Sequence, residues 1–420
     1  MNSRKIGLLI INGPLPPPYG GIATYLAYAL PYLAKHGFEV HTLTDQKPKD
    51  SQAHLVFENQ GVHIHYSRLT RVMKVLKAFK YLPFCISLIR NSHLPVLDLL
   101  KTLASMIGWL EAGEAVLRTQ EIDIIHAYDY PWVQGYVAAH LARKHRKEFL
   151  LTTFGEVVPH KEELVHHDEF GKRFEKLSWF VLKQADTVVS LSEHCAKEVE
   201  RVGISQEKVR IMYWGVDTSL YHPGIDGSAV EQELRFQGSP IVLFIGQVRL
   251  RKGPQVLVEA SAAIVRRFSK VKVVIAGPDY GIVDQLKTRA SGLGVSDNIL
   301  FLGEMPHRKL LELYALCDVF VFPTCTPIEC LGLSMIQAMS CAKPVVGSRI
   351  NGIPEVIADG ETGWLVEPGD PKDLAEKIVS LLENRHLGES MGRAARQRAV
   401  NRFEQSSSVS QLEKLYRTLV

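Results

Sequence analysis

The sequence predicts an α/β protein of two successive domains, each built on a doubly wound parallel sheet. Short continuous apolar runs, as expected of strands buried on both faces, recur along the chain. Helix-like stretches separate them, which is the spacing of βαβ units. A polar break from His222-Pro-Gly224 to Gly238-Ser-Pro240 divides the runs into two sets. The length of 420 residues accommodates two such domains. With 46% apolar and 22% charged residues, the composition excludes a disordered, collagen-like or membrane-spanning chain.

In the first set Ile6–Ile11 is a strand, Pro16 to Gly21 a loop, and Ala23–His36 a helix stopped by Gly37. Phe38–Leu43 is the next strand, and Ile122–His126, Phe149–Thr153 and Thr187–Leu191 continue the series. In the second set the strands are Ile241–Ile245, Val271–Ala276, Ile299–Leu302, Val319–Phe322 and Pro344–Val346. These runs give an N-terminal domain over 1–220, a linker over 221–240 and a C-terminal domain over 241–400. A terminal helix within 401–420 is free to pack back on the first domain. Two such domains create a cleft, and open α/β sheets bind ligands beyond the carboxyl ends of their strands. The loops after strands are therefore where chemistry is expected.

Several site classes are excluded. The six cysteines form no C-x-x-C pair, so no zinc knuckle or thioredoxin-type site is written here, and free thiols suit a reducing compartment. The lone G-x-G, Gly292-Leu-Gly294, follows a helix and lacks the third glycine of a dinucleotide fingerprint. Walker, G-x-S-x-G and D-x-D motifs are absent. His63-x-His65 and His166-His167 read as solvated faces rather than metal ligands, and no metal is expected. A net charge of +4 implies no nucleic-acid partner. The apolar run at the N-terminus is too short for a signal-peptide core, and Asp98 and Lys101 interrupt the most apolar stretch, 94–110. The expected location is cytoplasmic.

Four loops carry an unusual set of residues. Gly20-Gly21, ahead of a helix, either brings backbone N–H groups close to an anion or forms a tight turn. Gly246-Gln-Val-Arg-Leu-Arg-Lys-Gly253 places Arg249, Arg251 and Lys252 after a strand, either as a diphosphate clamp or as a solvated basic turn. Pro323 to Met339 offers Glu329 in a loop, Gly332 for close backbone approach, Leu333 and Ser334 in a first helical turn, and Gln337 one turn further on. Phe301-Leu-Gly303-Glu-Met-Pro306 ends a strand whose backbone can read a flat base edge.

The run from Arg249 to Gly253, Phe301-Leu-Gly303, the stretch from Glu329 to Gln337, Pro344-Val-Val346, Gly352-Ile-Pro-Glu355 and Gly363-Trp-Leu-Val366 together resemble glycosyltransferase family 4. The resemblance is strong from Ile241 to Gly369 and looser from Met1 to Pro223. It implies the GT-B fold, two Rossmann-like domains facing a central cleft. It also implies a retaining, metal-independent hexosyl transfer from a UDP- or GDP-sugar, with no cofactor. The acceptor would be a glycan, a lipid-linked glycan or a small molecule, as in polysaccharide biosynthesis. By the same resemblance Gly20 and Gly21 sit beside the donor diphosphate, which Lys252 neutralises with Arg249 and Arg251. Gly303 and Met305 flank the base, and Glu329 holds the donor sugar. Gly332, Leu333 and Ser334 present backbone N–H groups to donor oxygens, and Gln337 meets the ribose.

Three departures accompany it. Gln337 stands where the family has a second glutamate, Gln247 where it commonly has an arginine, and Phe154 where a histidine often faces the sugar. His126, at the end of a strand, is either the substitute for that histidine or a hydrogen-bonded histidine of the strand end; the first reading makes Glu329, Lys252 and His126 the expected catalytic set. Two competing readings are a sugar-nucleotide epimerase of the same architecture and a non-catalytic nucleotide-sugar-binding scaffold. From Gly61 to Leu97 there are six basic residues and no acidic one. Over 71–82, Arg71, Lys74, Lys77 and Lys80 share one helical side and Val72, Val75, Leu76, Phe79 and Leu82 the other. That pattern suits either an anionic membrane surface, with the protein peripheral at the inner face, or a helix packed on its own core.

Overall fold

The computed structural model describes residues 4–12, 21–44, 56–67, 69, 77, 79–91, 96–128, 133–154, 169–236, 238–326 and 329–420. The chain divides into two compact units, one of residues 1–212 with 409–420 and one of residues 213–408. Each carries its own parallel sheet.

The first unit runs β1 (Ile6–Ile11), α1 (Gly21–Lys35), β2 (Phe38–Thr44), β3 (Val62–Tyr66), α2 (Leu82–Arg90), α3 (Val96–Thr119), β4 (Ile124–Ala127), α4 (Val133–His145), β5 (Glu148–Thr153), α5 (Glu169–Gln184), β6 (Thr187–Ser190), α6 (Glu193–Arg201) and β7 (Val209–Ile211). Its seven strands lie in the order β3-β2-β1-β4-β5-β6-β7, and every pair is parallel. The central strands β1 and β4 are buried along almost their whole length because helices cover both faces. Leu9, Ile11, Ile125 and Leu151 meet Phe84, Trp109, Leu110 and Val137 from the helices in one core.

The second unit continues with α7 (Ser228–Leu234), β8 (Ile241–Ile245), α8 (Pro254–Arg267), β9 (Lys272–Ala276), α9 (Val283–Gly292), β10 (Ile299–Gly303), α10 (His307–Leu316), β11 (Val319–Phe322), α11 (Leu333–Ser340), β12 (Val345–Ser348), α12 (Ile353–Val356), β13 (Gly363–Val366), α13 (Pro371–Glu383) and α14 (Arg385–Arg402). The last helix, α15 (Gln405–Thr418), crosses from this unit into the first. The sheet order is β10-β9-β8-β11-β12-β13, again all parallel. The chain builds outward from β8 in one direction and then returns to its other side at β11, so the strand order reverses between β8 and β11. Such a switch point leaves a crevice beyond the carboxyl ends of the two strands.

The strands expected from apolar runs all form, within two residues at either end. Two of the observed strands, β7 and β13, are three and four residues long and were not read as strands. The expected linker over 221–240 is corrected: it contains helix α7 and lies inside the second unit, because Val230 is buried and its backbone N–H donates to Glu312 at 3.2 Å. The apolar stretch at 94–110 falls largely in α3, which packs on the first core; among the described residues no helix is long and apolar enough to cross a membrane. On β2 and β3, His63 pairs with Glu39 at 2.8 Å and His65 with His41 at 3.0 Å.

Candidate functional site

At the carboxyl end of β8 the chain makes a single helical turn, Leu250–Lys252, and then Gly253 adopts a left-handed conformation with φ +76°. Pro254 at the first position of α8 fixes the exit. At the end of the neighbouring β11, the loop from Pro323 lies against that turn. The Arg251 carbonyl accepts the Thr324 hydroxyl at 2.8 Å and the Cys325 amide at 3.2 Å. The side chain of Gln255 donates to the Leu250 carbonyl at 2.9 Å, bracing the same turn. Two loops far apart in sequence are thus tied together because β8 and β11 are paired, with Val319 opposite Val242.

This lacing sets Lys252 against Glu329 in an ion pair, Nζ to Oε1, with only 18% and 11% of the two side chains exposed. The ammonium also lies 5.7 Å from the Phe322 ring centroid. Glu329 does not cap the following helix: the N-cap of α11 is Gly332 at φ +74°, with no side-chain cap bond. Among the described residues the first-turn N–H groups of Leu333 and Ser334 meet no backbone acceptor, which leaves them to a ligand oxygen. At its other end α11 is anchored by Arg396, whose guanidinium donates to the Ser340 carbonyl and hydroxyl at 2.9 and 2.8 Å and to the Tyr221 carbonyl at 2.8 Å.

Gln337 is half-buried, and its Oε1 accepts the hydroxyl of Tyr314 at 2.8 Å. Tyr314 is 1% exposed and burial pushes its pKa well above 10, so the hydroxyl stays protonated and donates. That leaves the amide nitrogen of Gln337 as the group free to meet a ligand. Tyr314 was not singled out by sequence, and its position on α10 carries no motif. Arg249 lies 5.0 Å over the ring of Tyr280, whose hydroxyl accepts from Gln247 at 3.1 Å. Tyr280, after β9, was missed as well; an aromatic residue in a strand-end loop was the available signal. Gly303 closes β10 at φ +65° and its carbonyl accepts from Gly277 at 2.7 Å, while Met305 is half-buried beyond it. Arg249, Arg251, Lys252, Gly303, Met305, Glu329, Gly332, Leu333, Ser334 and Gln337 accordingly all lie at the carboxyl edge of one sheet.

The remaining predicted residues belong to the first unit. Gly20 lies outside the described residues, and Gly21 is the exposed first residue of α1. His126 is corrected. It is fully buried on β4, with Nδ1 2.6 Å from the Tyr416 hydroxyl and Nε2 2.8 Å from Thr152 Oγ1, so both ring nitrogens are occupied. A strand end with alternating exposure would have presented it; here both faces of β4 are covered. Burial drives its pKa from 6.5 down to about 3, so the fold holds it neutral. The unfolded chain takes up a proton as pH falls below 6.5 while the native chain does not, so stability declines with falling pH from 6.5 toward 3. The slope from this group approaches 1.4 kcal/mol per pH unit, a rough upper bound. His126→Gln, which can bond both hydroxyls without titrating, is expected to flatten the fall of melting temperature between pH 6.5 and 5. An unchanged slope rejects the assignment.

Two family models match the chain in tandem, one described as Glycosyltransferase Family 4 over residues 19–220 and one as Glycosyl transferases group 1 over residues 228–398. The chain is 31% identical over 239 residues to N-acetyl-alpha-D-glucosaminyl L-malate synthase of Bacillus anthracis, covering 56% of this chain and 61% of that one. It is 32% identical over 237 residues to D-inositol 3-phosphate glycosyltransferase of Corynebacterium efficiens, covering 54% and 55%. The chain therefore spans less than two thirds of the length of the curated relatives it matches. Among solved structures, Anabaena Alr3699/HepE in complex with UDP and glucose has a TM-score of 0.75 at 19% identity, covering 98% of this chain and 99% of that one. Sucrose-phosphate synthase from Thermosynechococcus elongatus has a TM-score of 0.76 at 22% identity, covering 99% of both. At such identities the likeness is one of fold. Two parallel-sheet units, tandem matches over nearly the whole chain and full-length structural likeness agree: the chain belongs to glycosyltransferase family 4 and has the GT-B fold.

Proposed function

We propose that this protein is a retaining glycosyltransferase that moves a hexosyl group from a nucleotide sugar to a hydroxyl acceptor without a metal. The observation that carries this reading is the Lys252–Glu329 pair at the strand-order switch between β8 and β11, beside an uncapped helix end. In this reading Lys252 swings its ammonium from the carboxylate to the donor diphosphate, with Arg249 and Arg251 adding charge. The α11 N–H groups meet donor oxygens, and Glu329 accepts hydrogen bonds from the sugar hydroxyls. The bond from the anomeric carbon to the diphosphate oxygen breaks, and a bond to the acceptor oxygen forms on the same face. The acceptor proton passes to the departing phosphate oxygen. The protein's contribution is charge stabilisation in a preorganised site. Relatives named as glycosyltransferases support this over an epimerase or a silent scaffold. Glycan or lipid-linked acceptors, and a cytoplasmic station at the inner face of the membrane, belong to the same proposal.

The direct test incubates the protein with a panel of UDP- and GDP-sugars, with and without acceptor, in chelator. Transfer with retention of anomeric configuration is the expected result. Epimerised donor without acceptor, or binding without turnover, replaces the proposal by the corresponding rival.

Gln337 gives a further expectation. Gln337→Ala removes the acceptor of the buried Tyr314 hydroxyl, costing about 1–3 kcal/mol of stability, and weakens bare nucleotide and nucleotide sugar alike. Gln337→Glu still accepts from Tyr314 and restores the family's usual acid, so it retains stability and nucleotide affinity. Calorimetric titration with both ligands checks this; equal affinities for wild type and Gln337→Ala remove Gln337 from the site.

A further inference from the structure

The basic helical side expected over 71–82 is met by a carboxylate where it is described: Lys77 and Lys80 both pair with Glu111, and Arg71 and Lys74 lie outside the described residues. Phe79 and Leu82 of its apolar side are exposed and do not enter the core. A cation of the second unit sits on an aromatic ring. Arg249 opens the turn that ends in Lys252, and its guanidinium carbon lies 5.0 Å from the ring centroid of Tyr280. Gln247 joins the two. Its amide nitrogen donates to the Tyr280 hydroxyl at 3.1 Å, and its Oε1 lies 3.5 Å from Nη1 of Arg249, the long limit of a hydrogen bond.

The backbone builds this seat without help from the ring. Beyond β8 and β9 the two loops stay parallel for one more step, with Val248 opposite Asp279. The Val248 amide donates to the Pro278 carbonyl at 2.9 Å, and the Tyr280 amide to the Val248 carbonyl at 3.1 Å. Asp279 then accepts the amides of Gly281, Ile282 and Val283 at 2.8, 3.0 and 3.2 Å, which leads the chain into α9. Main-chain bonds and Asp279 thus fix the loop, while the Tyr280 side chain is 52% exposed. Burial does not account for an aromatic residue there. What its face and hydroxyl engage are Arg249 and Gln247.

We infer that Tyr280 is a positioning residue: with Gln247 it holds the Arg249 guanidinium ready for the donor diphosphate. This rests on the donor site of the proposed function and adds the group that aims one of its cations. An arginine side chain gives up the freedom of several torsions when it grips a phosphate, and a seat that restricts it beforehand reduces that loss. The ring suits the task because it engages only the face of the guanidinium. The N–H donors lie in the guanidinium plane and stay directed outward, so Arg249 can meet a phosphate without leaving Tyr280. Lys252, by contrast, has to leave the Glu329 carboxylate first.

Calorimetric titration with UDP and with GDP tests the inference on whichever nucleotide the wild type binds. Arg249→Ala is expected to weaken binding about tenfold or more, and Tyr280→Ala about three- to tenfold. Melting temperatures are expected to match the wild type's, since neither side chain belongs to the core. Tyr280→Phe keeps the ring face and stays within about twofold of the wild type. The deciding readout is the double variant: because Tyr280 acts through Arg249, Tyr280→Ala has no further effect once Arg249 is replaced by alanine. A Tyr280→Ala loss that persists in full in the Arg249→Ala background overturns the inference, since the ring would then touch the nucleotide itself or support the loop. Nucleotide binding that Lys252→Ala weakens and Tyr280→Ala does not overturns the positioning role alone. A wild type that binds neither nucleotide overturns the donor site and this inference together.

Discussion

Glu329→Ala is expected to lower sugar transfer by about a hundredfold or more, equivalent to roughly 2.7 kcal/mol, while bare nucleotide binds as well as to the wild type or more tightly. The split follows from the pair. In the resting protein Glu329 is the counterion of Lys252, so removing it frees the ammonium for a diphosphate and removes a negative charge from the phosphate's surroundings. What is lost is the acceptor for the sugar hydroxyls, which only the nucleotide sugar feels. The lysine side gives the complementary pattern. Lys252→Ala is expected to weaken both ligands and to slow transfer about ten- to a hundredfold, the usual cost of one charge-assisted hydrogen bond at 1.5–3 kcal/mol. Calorimetric titration of each variant beside initial rates separates the two roles. A Glu329→Ala protein that transfers sugar at the wild-type rate makes the pair purely structural and moves the donor site elsewhere.

Gly253→Ala is the second large effect. A Cβ at Gly253 would stand 1.7 Å from the Pro323 carbonyl oxygen and 2.6 Å from its carbon, both main-chain atoms that no rotamer change can remove. The left-handed φ of +76° adds a strain of about 1–2 kcal/mol for any residue with a side chain. Relief requires the loops after β8 and β11 to part, which breaks the Thr324 and Cys325 bonds to the Arg251 carbonyl. The expected destabilisation is on the order of 3–4 kcal/mol, at the severe end for a point change, accompanied by loss of donor binding as Lys252 and Glu329 separate. Gly292→Ala is the control, because a Cβ there meets nothing within 4 Å and its φ is not positive. Thermal melting of both variants decides the matter: a Gly253→Ala midpoint equal to the control's shows that the loops tolerate separation.

The sequence by itself determined the strands, their grouping into two sets and the family. Buried parallel strands such as Ile6–Ile11 and Ile241–Ile245 announce themselves as uninterrupted apolar runs, a local property of the chain. It also directed the proposed donor site to the loops after β8 and β11, since the cations and the carboxylate stand next to strand ends in the linear order. Short strands escaped it: β7 is three residues and only one of them is buried, too little apolar pattern to distinguish from a loop. The tertiary structure alone decided which side chains meet. Pairing β8 with β11 is a non-local choice, and from it follow the contact of Lys252 with Glu329 and the hold of the Arg251 carbonyl on Thr324. Tyr314 reaches Gln337 because α10 and α11 flank the same strand pair, which no spacing rule encodes. By sequence His126 reads equally as a reactive residue or as a hydrogen-bonded histidine at a strand end, and the arrival of Tyr416 from the far end of the chain decides for the buried, neutral hydrogen-bonded group. Local pattern fixes what a segment can become, whereas the direction and protonation of a side chain depend on what distant segments bring against it.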